Sequence, residues 1–331
     1  ASVQAFLAKL EKVKIDQIGD ELLGTLAGVN EIVNSPEVKQ AVSETRDSIA
    51  SLKSVMGKLD ESGVDQAVVA ATGPVELDGR LLDRETVVDY LLRGQYERYD
   101  DVFERRDQLA DLAAAVFVAF QSGEVDYGSL ISRLPALVRG RHLMVYSAEP
   151  TAQQAWQRLG VAGAVESGQV GIFLHNLGGS KLDPYLDVDV QVDETVADGV
   201  RTVRLGVSVT NTVGDADALA DYVAGPWEFV GVPRRGSYSG RLVVYAPGSA
   251  SELRFVPERT LEAFGRDGAV VLMASRIVLE PGDSSPFTVE FEIPAHVSMV
   301  EVLPSARFPS VVWRHGDRSE TDQAPLVLEF E

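Results

Sequence analysis

Cysteine is missing from all 331 residues, which removes disulfides, thiolate zinc sites, iron–sulfur clusters and cysteine nucleophiles from consideration. Positive charge is scarce. Thirty Lys and Arg stand against 50 Asp and Glu, and the net charge of -20 repels phosphate backbones and anionic headgroups, so nucleic acid is not an expected partner. No run of roughly eighteen apolar residues occurs, and the first residues lack the basic-then-apolar order of a secretion signal. An export signal or membrane anchor is therefore expected outside this chain. Gly-x-Ser-x-Gly elbows, phosphate loops and dinucleotide fingerprints are absent, and Gly178-Gly179-Ser180-Lys181 lacks the flanks of a phosphate loop. What is present is an ordinary globular composition, 45% hydrophobic and 24% charged, in a chain long enough for two or three domains.

Lysine itself is nearly confined to one end. Lys9, Lys12, Lys14, Lys39, Lys53 and Lys58 precede residue 62, where Arg46 is the only arginine; beyond it Lys181 stands alone among arginines. Phe6 is the only aromatic residue in the same stretch. The coincidence predicts a boundary near Glu61-Ser62-Gly63, natural or engineered. Before it, Ile15, Ile18, Leu22, Leu26, Val29 and Ile32 recur at helical steps up to Asn34, and Ser35-Pro36-Glu37 supplies the start of a second helix. Val38, Val42, Thr45, Ile49, Leu52, Met56 and Leu59 then form a heptad seam. Residues 1–62 are expected to form a helical hairpin, or a coiled coil through which copies self-associate. The runs Phe6-Leu7-Ala8-Lys9-Leu10, Ile15-Asp16-Gln17-Ile18-Gly19 and Asn34-Ser35-Pro36-Glu37-Val38-Lys39-Gln40 resemble the helical tail of paraquat-inducible and mammalian-cell-entry type lipid-transport proteins. That resemblance implies a lipid-transport tunnel component as one reading.

Residues 63–182 carry an alternation of short strands and helices that predicts an α/β layer. Thr72 to Gly79 reads as a strand closed by an Asp-Gly turn, and Asp83 as the cap of a helix bearing Val87, Val88, Leu91 and Leu92. Asp100 or Asp101 starts a longer helix; Leu143-Met144-Val145-Tyr146 and Gly171-Ile172-Phe173-Leu174 read as strands, with a helix from Pro150-Thr151 between them. Gly73-Pro74-Val75, Val87-Val88-Asp89-Tyr90-Leu91, Glu104-Arg105-Arg106-Asp107, Arg141-His142-Leu143, Tyr146-Ser147-Ala148 and Lys181-Leu182-Asp183 follow one another in order. Together they resemble an uncharacterised, largely actinobacterial cell-envelope family, domain-of-unknown-function family 4012, over residues 64–331. Ser180 and Pro184 stand where that family tends to have Asn and Tyr. Its upstream strand and Gly-Gly turn have no counterpart here, so the α/β layer is expected to be incomplete.

The run from Gly73 to Arg106 more remotely resembles the LytR-CpsA-Psr domain, whose members transfer a glycopolymer from a polyprenyl diphosphate. Arg98, Arg105 and Arg106 match its arginine-rich stretch, and a guanidinium fork binds diphosphate oxygens bidentately at any pH. Helical spacing would set Arg98 and Arg105 two turns apart on one face, with Asp101 between them as acid/base or magnesium ligand. Magnesium enters only under this reading; otherwise no cofactor is expected. The competing reading is a solvated helix face on which Glu104 and Asp107 pair the arginines.

After Lys181, strand follows strand. Val188, Val190 and Val192 alternate with Asp187, Asp189 and Asp193, and Val203–Val209, Leu242–Tyr245, Ala269–Ile277, Phe287–Ile293, Val300–Leu303 and Leu326–Phe330 read as further strands. An antiparallel β-sandwich of immunoglobulin type is expected over 183–331, completing a multidomain α+β chain. Asp183, Asp187, Asp189 and Asp193 offer oxygens, but along an extended strand and not in a curled loop, which favours a solvent face over calcium. His142, His175, His296 and His315 lack ligand spacing, so no metal site is expected. The leading reading is a noncatalytic extracytoplasmic cell-envelope protein that scaffolds, or binds a polyprenyl-linked glycan or cell-wall polymer; a LytR-CpsA-Psr-like phosphotransferase is the alternative.

Overall fold

A computed structural model of the chain describes residues 69, 73–83, 85–99, 101, 103–105, 107–108, 111–112, 115–116, 133, 135–225 and 234–330. The expected N-terminal hairpin, Arg106 and Trp227 lie outside these residues. The described residues fall into two units, 145–162 and the remainder.

In the larger unit a short hairpin comes first, β1 (Val75–Leu77) and β2 (Arg80–Leu82). Its turn is Asp78-Gly79, both at positive φ, as the sequence predicts for an Asp-Gly pair. Asp83 then starts a helix: its carboxylate accepts from Glu85 N, Thr86 N and the Thr86 hydroxyl, while Thr86 Oγ1 accepts from Asp83 N. This reciprocal pairing is a capping box. The helix runs as Val87–Asp89, widens into a π segment at Tyr90–Gly94, and closes as Gln95–Arg98. Val87, Tyr90 and Leu91 bury against Val75, Leu77, Leu82 and Leu112.

Twelve strands make two six-stranded sheets. The first has the order β13-β12-β4-β5-β10-β7, built from β4 (Leu186–Ala197), β5 (Val200–Asn211), β7 (Ser251–Val256), β10 (Ser284–Pro294), β12 (Val312–His315) and β13 (Arg318–Thr321). The second has the order β14-β11-β3-β6-β9-β8, from β3 (Gln169–Asn176), β6 (Tyr238–Ala246), β8 (Leu261–Asp267), β9 (Val270–Leu279), β11 (Met299–Val302) and β14 (Leu326–Glu329). The alternation in β4 sends Val188, Val190 and Val192 into the core, where Val203, Leu205 and Val207 of β5 and Val289 and Phe291 of β10 join them. Ile172, Leu242, Val244, Met273 and Val302 of the second sheet belong to the same apolar cluster. Each such side chain contributes about 1.5–3 kcal/mol on burial.

Three expectations need correction. First, the sequence pattern places Gly171 to Leu174 in the α/β layer, whereas β3 lies inside the second sheet, antiparallel to β6 and parallel to β11. A short apolar run identifies a buried strand but not the sheet that takes it. Second, the pairing is not wholly antiparallel, because β12 also runs parallel to β4. The chain enters β11 and β12 by crossing between sheets, so no hairpin forces the direction to alternate. Third, residues 143–146 form no strand, and Met144 and Tyr146 are exposed.

The smaller unit holds the expected helix Pro150–Arg158, whose first turn is closed by Glu149 accepting from Ala152 N at 2.6 Å. Ala152 and Ala155 are its buried positions.

Candidate functional site

The arginine-rich stretch does not form one helical face. The helix ends at Arg98, Tyr99 turns to extended backbone (φ -125°, ψ 109°), and a new helix starts behind Asp101. Asp101 is that helix's cap, its Oδ1 accepting from Phe103 N at 2.7 Å and Glu104 N at 3.1 Å while its carbonyl accepts from Arg105 N at 3.1 Å. The break rotates the two arginines into different settings. Arg98 is exposed, with its guanidinium 5.8 Å from the Tyr99 ring centre. Arg105 is 5% exposed. Its Nη1 donates to Tyr99 O at 2.5 Å, and its guanidinium lies 4.3 Å from the Tyr222 ring centre and 5.7 Å from that of Tyr96.

Tyr96 and Tyr222 are themselves stacked, 5.5 Å apart and 19° from parallel, and Lys181 Nζ lies 5.9 Å from the Tyr96 ring. One turn earlier, Arg93 sits 5.0 Å from the Tyr185 ring and donates to Pro184 O at 3.0 Å. Aromatic faces attract cations in desolvated settings by about 2 kcal/mol. These contacts fasten the π-centred helix to the sheets, through partners about a hundred residues away in the chain that no local spacing announces.

A second buried polar group holds the loop after β11. Arg307 donates to Pro309 O at 2.6 Å, Leu186 O at 2.9 Å and Asp183 O at 3.1 Å. Asp183 in turn accepts from Asn176 Nδ2 at 2.7 Å. Asp322, 3% exposed, accepts from Val311 N and Ser305 N, each at 2.8 Å. Burial pushes the Asp322 carboxyl up and the Arg307 guanidinium down. Tyr238 is fully buried beside this group, its hydroxyl pushed up by desolvation and without a hydrogen-bond partner among the described residues.

The aspartates named for calcium separate. Asp183 belongs to the buried group, Asp189 pairs with Arg314, and Asp187 and Asp193 are exposed. Among the described residues no three His, Asp or Glu side chains converge as metal ligands. Burial pushes the half-buried His142 down, with Asp322 acting against it, and His315 meets Phe330 edge-on at 5.8 Å. A shallow cleft between β13 and β14 is lined by Trp313, His315, Leu326 and Leu328. No protein-family model matches this chain, and no curated protein matches it.

Proposed function

We propose that the chain is an extracytoplasmic bacterial cell-envelope protein with a scaffolding or binding role, its partner a cell-wall polymer or polyprenyl-linked glycan. The observation that supports this reading over the phosphotransferase is the use made of the arginine-rich stretch. Arg105 is consumed by Tyr99 O and the Tyr96–Tyr222 stack, and Asp101 by a helix cap. Diphosphate recognition needs guanidinium groups that a ligand can reach, and of the two described arginines only Arg98 presents its side chain to solvent. The ordered motifs from Gly73 to Asp183 and their resemblance to the cell-envelope family support the extracytoplasmic part of this reading.

Within the same reading the sheets are of immunoglobulin type. The order β4-β5-β10-β7 follows the A-B-E-D order of such a sandwich, with β12 and β13 added to that sheet and β3, β8 and β9 added to the other. Cosedimentation of the purified full chain with insoluble cell-wall polymer tests the role. Saturable binding supports it; recovery of all the protein in the supernatant, at every salt concentration, removes it.

A further inference from the structure

The outer edge of β8 has no strand partner among the described residues. β8 is the last strand of the second sheet, and all seven of its residues from Leu261 to Asp267 are exposed or half-exposed. Phe264 is 61% and Leu261 46% exposed. Phe264 and Arg266 stand opposite Met273 and Val271, whose side chains enter the core, so both point to the inner side of the sheet, where no strand among the described residues covers them. From Ala263 to Asp267 the pairing with β9 is uninterrupted, after a register shift between Leu261 and Ala263. Within this stretch Ala263, Gly265 and Asp267 spend their backbone groups on β9, so Phe264 and Arg266 turn theirs outward, and the irregularity before them stops the row from growing.

We infer that this segment is the contact between two copies of the chain, paired antiparallel about Gly265. That register sets Phe264 of each copy directly opposite Arg266 of the other, on the same face, twice over. Arg266 is suited to the role: it donates to Gly248 O at 3.1 Å and makes no ion pair among the described residues. A guanidinium over an exposed ring is favourable. At the two-fold axis, Gly265 has open space around the position of a Cβ, so the two backbones meet without a side chain between them. The pairing is isologous and closes at two copies. Because each copy carries a net charge of -20, added salt strengthens the association by screening repulsion.

The absence of cysteine gives a direct test on the full chain. In an antiparallel pair the opposed Cα atoms lie about 4.5–5.5 Å apart, within disulfide range. Gly265→Cys is expected to yield a disulfide-linked dimer under mild oxidation, much faster than Ser319→Cys on the edge strand β13. Sedimentation velocity of the unmodified chain is expected to show a monomer–dimer equilibrium that shifts to dimer with salt, and Phe264→Glu is expected to give monomer that melts like the unmodified chain at dilutions where the latter is also monomeric. Equal crosslinking rates for the two cysteine variants, a chain that stays monomeric at high concentration, or a dimer that survives Phe264→Glu would each overturn the inference; the last would place association elsewhere, the N-terminal helices included.

Discussion

Glu290 shows how single side chains hold the outer face of the first sheet. Cross-strand pairing lines up Asp193, Arg204, Glu290 and Arg254 on four neighbouring strands, an alternating row of charge. Glu290 is 8% exposed; one oxygen accepts from Arg204 Nε at 2.7 Å and the other pairs with Arg254. Glu290→Ala leaves two guanidinium groups facing each other and is expected to cost about 1–3 kcal/mol, whereas Arg254→Ala removes a largely exposed partner and is expected to cost under about 1 kcal/mol. Urea unfolding curves of the two variants check the order. Tyr99 supplies a pH-dependent counterpart. Its hydroxyl donates to Asp78 Oδ2 at 2.5 Å, and that hydrogen bond holds the phenol up to about 12. A folded value above the ordinary one of about 10 means that the contribution is complete below pH ~10 and is lost as pH rises toward 12. Asp78→Asn is expected to bring one tyrosine's share of the phenolate absorbance back to lower pH; superimposable titrations would contradict the assignment.

At the scale of elements, what could be read in the sequence was whatever local pattern specifies. The alternation of β4, the Asp78-Gly79 turn and the Asp83 cap depend on neighbours within a few residues, and each appears where the pattern places it. β13, Arg-Ser-Glu-Thr, is exposed at every position and carries no alternation, so nothing in it announces a strand. β8 is similar, an edge strand defined by its neighbour β9. The break at Tyr99 was legible in Asp101, which reads as the start of a new helix and caps one; the expected arginine face failed because it carried a single helical spacing across that start. The cation–aromatic contacts of Arg93 and Arg105 were illegible for another reason, since their partners Tyr185 and Tyr222 lie far along the chain. The placement of β3 yields a prediction at this scale. A fragment of residues 163–331 keeps both neighbours of β3 and is expected to melt in one cooperative transition; residues 185–331 lack the strand that joins β11 to β6, and are expected to lose that cooperativity. Circular dichroism melts of the two fragments decide it, and equal cooperative transitions would show β3 to be dispensable.

For the molecule as a whole, the arginine-rich stretch is where the scaffold and phosphotransferase readings part. If Arg105 is a fastener between helix and sheets, its loss is felt without any ligand; if it is a ligand for diphosphate, its loss is felt with one. The deciding measurement is a thermal melt of the full chain and of Arg105→Ala, each with and without magnesium and a prenyl diphosphate at millimolar concentration. Removal of a buried hydrogen bond and two ring contacts is worth about 2 kcal/mol, or roughly 4–8 °C for a unit of this size. The account predicts that drop in Arg105→Ala, and a response to the ligands that is the same in both chains. A rise in the melting temperature of the unmodified chain on adding magnesium and prenyl diphosphate, abolished in an Arg105→Ala variant that otherwise melts normally, would contradict it.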